Sequence, residues 1–264
     1  MNKPSLHSMA SQVGEDAPLL STKVMFSGLS FALFGLVGAL LSITVFPMLH
    51  LLPLGRHLRQ RWARKILSTL FPLYIRFMER CGLIRLHLHD CDSLAPGGQL
   101  LVANHPSLLD VVYLIALVDN ANCLVKRSLF FNPFTAAAVR AAGYIRNDSD
   151  QLLELGSASL AAGDSLIIFP EGTRTDPQKP FRFLRGSANI ALAAGCDIHP
   201  LVIRCRPARL MKHQAWYEMS SETLDVHIEA HSPIPIAPYL QQSLPRSLSA
   251  RRLTADLEAF YRCR

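Results

Sequence analysis

The chain has 264 residues, half of them hydrophobic, which is enough apolar material for one sizeable core and one catalytic-size domain. Lys and Arg outnumber Asp and Glu by 27 to 20, a formal net charge of +7 that favours an anionic partner (membrane surface, phosphorylated substrate or nucleic acid) without choosing among them. Six cysteines, Cys81, Cys91, Cys123, Cys196, Cys205 and Cys263, lack Cys-x-x-Cys spacing, which argues against a disulfide scaffold or zinc ribbon and reads as thiols in a reducing compartment.

After an amino-terminal tail, residues 1–23, the run from Val24 to Leu49 carries no charge, and its only polar side chains are Ser27, Ser30, Ser42 and Thr44. About 20 helical residues cross a hydrocarbon core of roughly 30 Å, so this run is long enough for a membrane helix or one arm of a helical hairpin. Its length and the preceding Glu15 and Asp16 argue against a cleaved signal peptide. The stretch from Leu54 to Lys65 follows with Arg56, Arg59, Arg61, Arg64 and Lys65 beside Trp62. That cluster predicts a cytoplasmic side by the positive-inside rule, and a headgroup-level hold on Ile66 to Met78, which reads as an apolar interfacial piece. Residues 24–81 are therefore expected to anchor the chain.

From Gly82 the pattern changes to short apolar runs alternating with helical stretches. Candidate strands are 84–89, 99–103, 122–126, 144–146, 166–169, 198–204 and 224–230; candidate helices are 107–118, 133–142, 150–161, 187–194 and 249–261. This alternation predicts an α/β fold over residues 82–264, with a mostly parallel or mixed central sheet flanked by helices. Loops at the carboxyl ends of such strands are the expected place for chemistry.

Asn104-His105-Pro106-Ser107-Leu108-Leu109-Asp110 leaves a predicted strand and enters a predicted helix. Pro106 suits a first helical turn, so His105 is expected near the helix start with Asp110 little more than a turn further on. A carboxylate on one ring nitrogen fixes the tautomer and leaves the other nitrogen to accept a proton, the arrangement of a general base. Phe169-Pro170-Glu171-Gly172-Thr173-Arg174 ends a second buried run and belongs at the same edge. Here Gly172 permits close backbone approach, Arg174 offers a bidentate fork for phosphate, Thr173 adds a donor, and Glu171 is suited to position a substrate hydroxyl. Lys126, Arg127 and Arg146 also fall at strand ends, where they would line a phosphate with cations. His87 and His89 share a strand face but do not close a metal site, so no metal is expected.

With these motifs in view, the chain resembles the glycerolipid acyltransferase family typified by bacterial lysophosphatidate acyltransferases, over roughly Leu86 to Arg204. His105 to Asp110 matches the family's His-x4-Asp motif and Phe169 to Arg174 its Phe-Pro-Glu-Gly-Thr-Arg motif; Phe183 to Gly186 and Pro200 to Ile203 look like two further blocks. The resemblance implies that His105 deprotonates the acceptor hydroxyl, that Asp110 supports it, and that Glu171 to Arg174 bind the acceptor's phosphate. It implies acyl-CoA or acyl carrier protein as co-substrate, no bound cofactor, a lysophospholipid acceptor, no nucleic acid, and a bacterial inner-membrane location with the catalytic domain on the cytoplasmic side. Two departures, Pro133 followed by Phe134-Thr135-Ala136 and His199 in place of an aliphatic residue, leave the acceptor open to a specialised lipid. A serine hydrolase using Ser107 and a non-catalytic membrane scaffold are the competing expectations; no Gly-x-Ser-x-Gly elbow supports the former.

Overall fold

The computed structural model describes residues 6–94, 97–176, 180–207, 222–241 and 244–264, with side chains from residue 22 onward except that of Ser93. The expected tail, residues 1–23, thus lies almost wholly outside the described side chains. Three helices come first: α1 (Leu6–Ile43), α2 (Val45–Leu51) and α3 (Arg56–Arg80). Thr22–Leu51 is the one described segment long and apolar enough to cross a membrane.

Then the chain alternates: β1 (Ile84–His89), β2 (Leu100–Ala103), α4 (Asp110–Leu117), β3 (Ala121–Val125), α5 (Ala136–Ala141), β4 (Ile145–Arg146), α6 (Leu152–Ala161), β5 (Ser165–Ile168), α7 (Gly186–Ala194), β6 (Ile198–Arg206), β7 (Leu224–Ala230), α8 (Ala237–Leu240) and α9 (Arg246–Arg262). The seven strands form one sheet in the order β1-β7-β6-β2-β5-β3-β4. Every pair is parallel except β6 with β7, so the expected mixed sheet is the one found.

All four residues of β2 and of β5 are buried, the pattern of a central strand covered on both faces. Successive side chains point to opposite faces, which divides the core in two. Leu101 and Ala103 pack with Leu67, Ile75 and Met78 of α3 and Tyr113 and Leu114 of α4. Leu100 and Val102 pack with Ile190 of α7 and Leu253 and Leu257 of α9. The edge near β7 is covered on one face only: Leu224, Val226, Ile228 and Ala230 are buried, and the alternate residues Asp225, His227 and Glu229 are not.

Three expectations need correction. Ile66 to Met78 is not an interfacial piece, because α3 turns Leu67, Ile75 and Met78 into the core between the first helix and α4. Nor do all five basic residues at its start face a membrane: Arg64 is 1% exposed, and its guanidinium lies 2.7 Å from Asp164. The helix expected from Ser107 begins only at Asp110, because Ser107 Oγ accepts the Leu109 N–H at 3.1 Å and holds a turn there. Side-chain capture of a nearby amide competes with the helical ladder.

Candidate active site

His105 stands on the turn between β2 and α4, with its backbone fixed from three directions. Just before it, Asn104 extends the sheet with its side chain: Nδ2 donates to the Ile203 carbonyl at 2.8 Å and Oδ1 accepts the Ile203 N–H at 2.7 Å. The His105 N–H donates to Glu171 Oε1 at 2.9 Å, and the Thr175 N–H donates to the His105 carbonyl at 2.7 Å. Tyr261 of α9 reaches under the same strand and donates to the Val102 carbonyl at 2.6 Å.

The imidazole is positioned as firmly as its backbone. Nδ1 lies 2.8 Å from Asp110 Oδ2, and that oxygen also accepts the Ser107 N–H at 2.7 Å. An ionised carboxylate only accepts, so Nδ1 carries the proton and Nε2 keeps its lone pair. The ring stacks on Phe169 with centroids 4.3 Å apart, and its side chain is 16% exposed, whereas Asp110 is fully buried. A neutral imidazole oriented by a buried carboxylate, with one nitrogen open to a ligand, is competent for general base work.

Burial pushes the Asp110 carboxyl above its usual range, and the His105 and Ser107 contacts counter part of that rise. Asp110 Oδ1 has no hydrogen-bond partner among the described residues, so the charge leans on Oδ2. Glu171 is pushed up in the same way by burial, against the pull of the His105 N–H and the Thr175 hydroxyl, which donates to Oε1 at 2.9 Å.

The loop carrying Glu171 begins at the carboxyl end of β5, the strand next to β2, which is why the two motifs meet. Gly172 has φ +66°, the left-handed region that favours glycine, and a Cβ there would lie 2.7 Å from the tip of the exposed Leu184 side chain, which would have to swing aside. Lys126 joins this group, donating to Thr173 Oγ1 at 3.2 Å. Arg146 does not: it chelates Asp148 through Nε at 3.0 Å and Nη2 at 2.8 Å, and lines a different cavity. His105, Asp110, Glu171, Gly172, Thr173, Arg174 and Lys126 thus gather around three neighbouring strand ends, those of β2, β5 and β3.

Three supports escaped sequence reasoning: the Asn104 bridge, the Thr175 contacts and the Tyr261 hydroxyl. Asn104 adjoins the histidine, so its polarity at a strand end was a usable signal; Tyr261 is 156 positions from His105 and gave none. Ser107 Oγ is fully buried and engaged in its turn, which is unlike an attacking nucleophile. Among the described residues no group of three or more His, Cys, Asp or Glu is arranged to hold a metal ion.

Residues 85–204 match the family model described as Acyltransferase. The 1-acyl-sn-glycerol-3-phosphate acyltransferase of Helicobacter pylori is 29% identical over 160 residues, 58% of this chain and 67% of that protein. The protein of the same description from Pseudomonas aeruginosa is 27% identical over 125 residues, 45% of this chain and 49% of that protein. The match thus spans about two thirds of one relative and about half of the other. The crystal structure of the 1-acyl-sn-glycerophosphate acyltransferase from Thermotoga maritima superposes with a TM-score of 0.64 at 18% identity, covering 92% of this chain and 98% of that one, a likeness of fold.

Proposed function

On the match of residues 85–204 to the acyltransferase family model, we propose a monotopic membrane enzyme that moves a fatty acyl chain from acyl-CoA or acyl carrier protein to the hydroxyl of a lysophosphatidate-like acceptor. The observation that carries this reading is the His105–Asp110 pair, 2.8 Å apart and tied through the His105 backbone to Glu171. The acceptor hydroxyl hydrogen-bonds to His105 Nε2 and gives up its proton as its oxygen attacks the thioester carbonyl. The tetrahedral oxyanion then collapses, the carbon–sulfur bond breaks, and the imidazolium returns the proton to the thiolate. Direct transfer of this kind needs no acyl-enzyme, in keeping with the buried Ser107 hydroxyl. Lys126, Thr173 and Arg174 would hold the acceptor's phosphate, with the fork of Arg174 suited to two oxygens. Glu171 acts mainly through the His105 backbone, a narrower role than contact with substrate.

The membrane reading rests on where the apolar helix lies. Near one end Lys23 Nζ donates to Thr223 Oγ1 at 3.1 Å; midway, Ser30 and Tyr74 hydroxyls pair at 3.0 Å. Near the other end a Cβ on Gly38 would come within 2.8 Å of the Phe134 carbonyl oxygen, so α1 and the loop before α5 are in close contact. A helix crossing a core of roughly 30 Å would carry one end away from the folded body. Met25, Leu29, Leu36, Leu40 and Ile43 meanwhile form an exposed stripe at helical spacing, beside exposed Phe131 and Phe134. That stripe suits a helix lying in the membrane plane, with the catalytic domain on the cytoplasmic face.

The test is thiol release from acyl-CoA and acyl carrier protein, with lysophosphatidate as acceptor. His105→Ala should lower turnover by about 10² to 10⁴ in a variant that circular dichroism shows to be folded at the assay temperature. Near-normal turnover in the purified variant would end the assignment.

A further inference from the structure

Between the first helices and edge strand β4 lies a second, open cavity of about 450 Å³. Arg56 and Arg59 of α3, Arg140 of α5, Arg146 of β4 and His50 of α2 converge on it, and no Asp or Glu is among the described residues that line it. Arg59 donates to the His50 carbonyl at 3.3 Å and Arg140 to the Phe130 carbonyl at 2.8 Å. These bonds orient the guanidinium groups without neutralising them; among the described residues, Arg146 alone of the four has a carboxylate partner, Asp148. The first turn of α3 opens here too, with Gly55 at its N-cap offering no side chain to its N–H groups. Four guanidinium groups and the positive end of a 25-residue helix repel one another unless an anion sits among them.

The cavity is remote from the catalytic turn. β4 lies three strands from β2, roughly 14 Å at ordinary strand spacing, and Lys126 and Thr173 stand between. It opens beside an exposed apolar surface: His50 is followed by Leu51, 85% exposed, and Leu52, and exposed Met48 lies two residues before it. Headgroup phosphates lie just beyond the hydrocarbon into which such residues insert. We propose that this cavity binds the phosphate headgroup of an anionic membrane phospholipid, separate from substrate, and that it seats the helical hairpin on the bilayer. Arginine suits this role because its planar fork holds two phosphate oxygens where a lysine offers a point charge.

Sedimentation of the full chain with phosphatidylcholine vesicles, with and without phosphatidylglycerol, tests the proposal. Arg59→Ala combined with Arg140→Ala should weaken binding to the anionic vesicles by about tenfold or more and leave binding to phosphatidylcholine unchanged. Arg251→Ala with Arg252→Ala, an equal charge loss on α9, should cost far less. Arg59→Lys with Arg140→Lys should recover only part of the affinity; full recovery would mean a diffuse surface potential and overturn a built site. Calorimetric titration with coenzyme A and with inorganic phosphate forms the other arm. If the Arg59 and Arg140 dependence appears with coenzyme A and not with vesicles, the cavity belongs to the soluble donor and the lipid assignment fails. Should the alanine pair unfold, the glutamine pair, which keeps donors for the His50 and Phe130 carbonyls, is read in its place.

Discussion

Asp110 does two things that conflict. It holds the His105 imidazole, and it places a carboxylate in a fully buried position where one oxygen has no partner among the described residues. Its carboxyl is pushed up by burial, so the folded state binds that proton more tightly than the unfolded chain does. For a group raised in this way, the favourable contribution is complete below the ordinary carboxylate pKa of about 4, and it disappears as pH rises through the folded value. Replacing Asp110 with Asn removes the charge and keeps an acceptor for Ser107. The melting temperature of Asp110→Asn relative to wild type should therefore climb as pH rises above about 4, while turnover falls at least about 10²-fold. Scanning calorimetry across that range checks it, and a difference that stays flat or shrinks toward neutrality would contradict the burial argument. The identity of this pair was legible from six consecutive residues, because a base and its carboxylate were near neighbours in the chain. The burial that sets its cost was not, since it depends in part on side chains such as Cys205 of β6, brought in from a distant part of the chain.

At the scale of elements, α3 is locked to the sheet by Arg64. Its Nε donates to the Ala142 carbonyl at 2.8 Å, and its Nη1 meets Asp164 at 2.7 Å and Asn120 at 3.2 Å. Burial pushes the Asp164 carboxyl up, but Arg64, Asn120 and Ser159 outweigh that and leave it below the usual range. Removing one member of a buried pair strands the other, which typically costs about 3 to 5 kcal/mol. Arg64→Ala should lose stability of about that size in urea denaturation, and Arg64→Lys should not restore it, because three acceptors need a fork. A loss under about 1 kcal/mol would mean that water replaces the guanidinium. The strands were readable because central parallel strands are continuous apolar runs, as in Leu100 to Ala103 and Ser165 to Ile168. Arg64 was misread because a basic residue in a basic stretch gives no local sign that Asp164, a hundred positions later, will enclose it. The late start of α4 was missed for a more local reason: the capture of an amide by Ser107 is as short-range as the proline signal that suggested an earlier start.

For the whole molecule, the proposed in-plane placement of the apolar helix makes a topological prediction. Thr22, at the start of the apolar segment Thr22–Leu51, and native Cys263 are both exposed, as is Leu36 midway along that segment. With the other cysteines replaced, Thr22→Cys and Cys263 should react with a membrane-impermeant maleimide from the same side of the bilayer, and Leu36→Cys from neither. Labelling of Thr22→Cys and Cys263 from opposite sides would mean a true crossing. Composition identified the apolar helix but not its tilt, which depends on contacts such as Lys23 with Thr223 that join residues 200 positions apart.

The Tyr261 hydroxyl lies within reach of the carbonyls of Val102, at 2.6 Å, and Leu201, at 3.3 Å, on neighbouring strands two or three residues short of the catalytic turn. One phenol on α9 thus links β2 to β6 beneath the histidine, and loss of that hydroxyl alone would loosen the turn without removing any group that meets substrate.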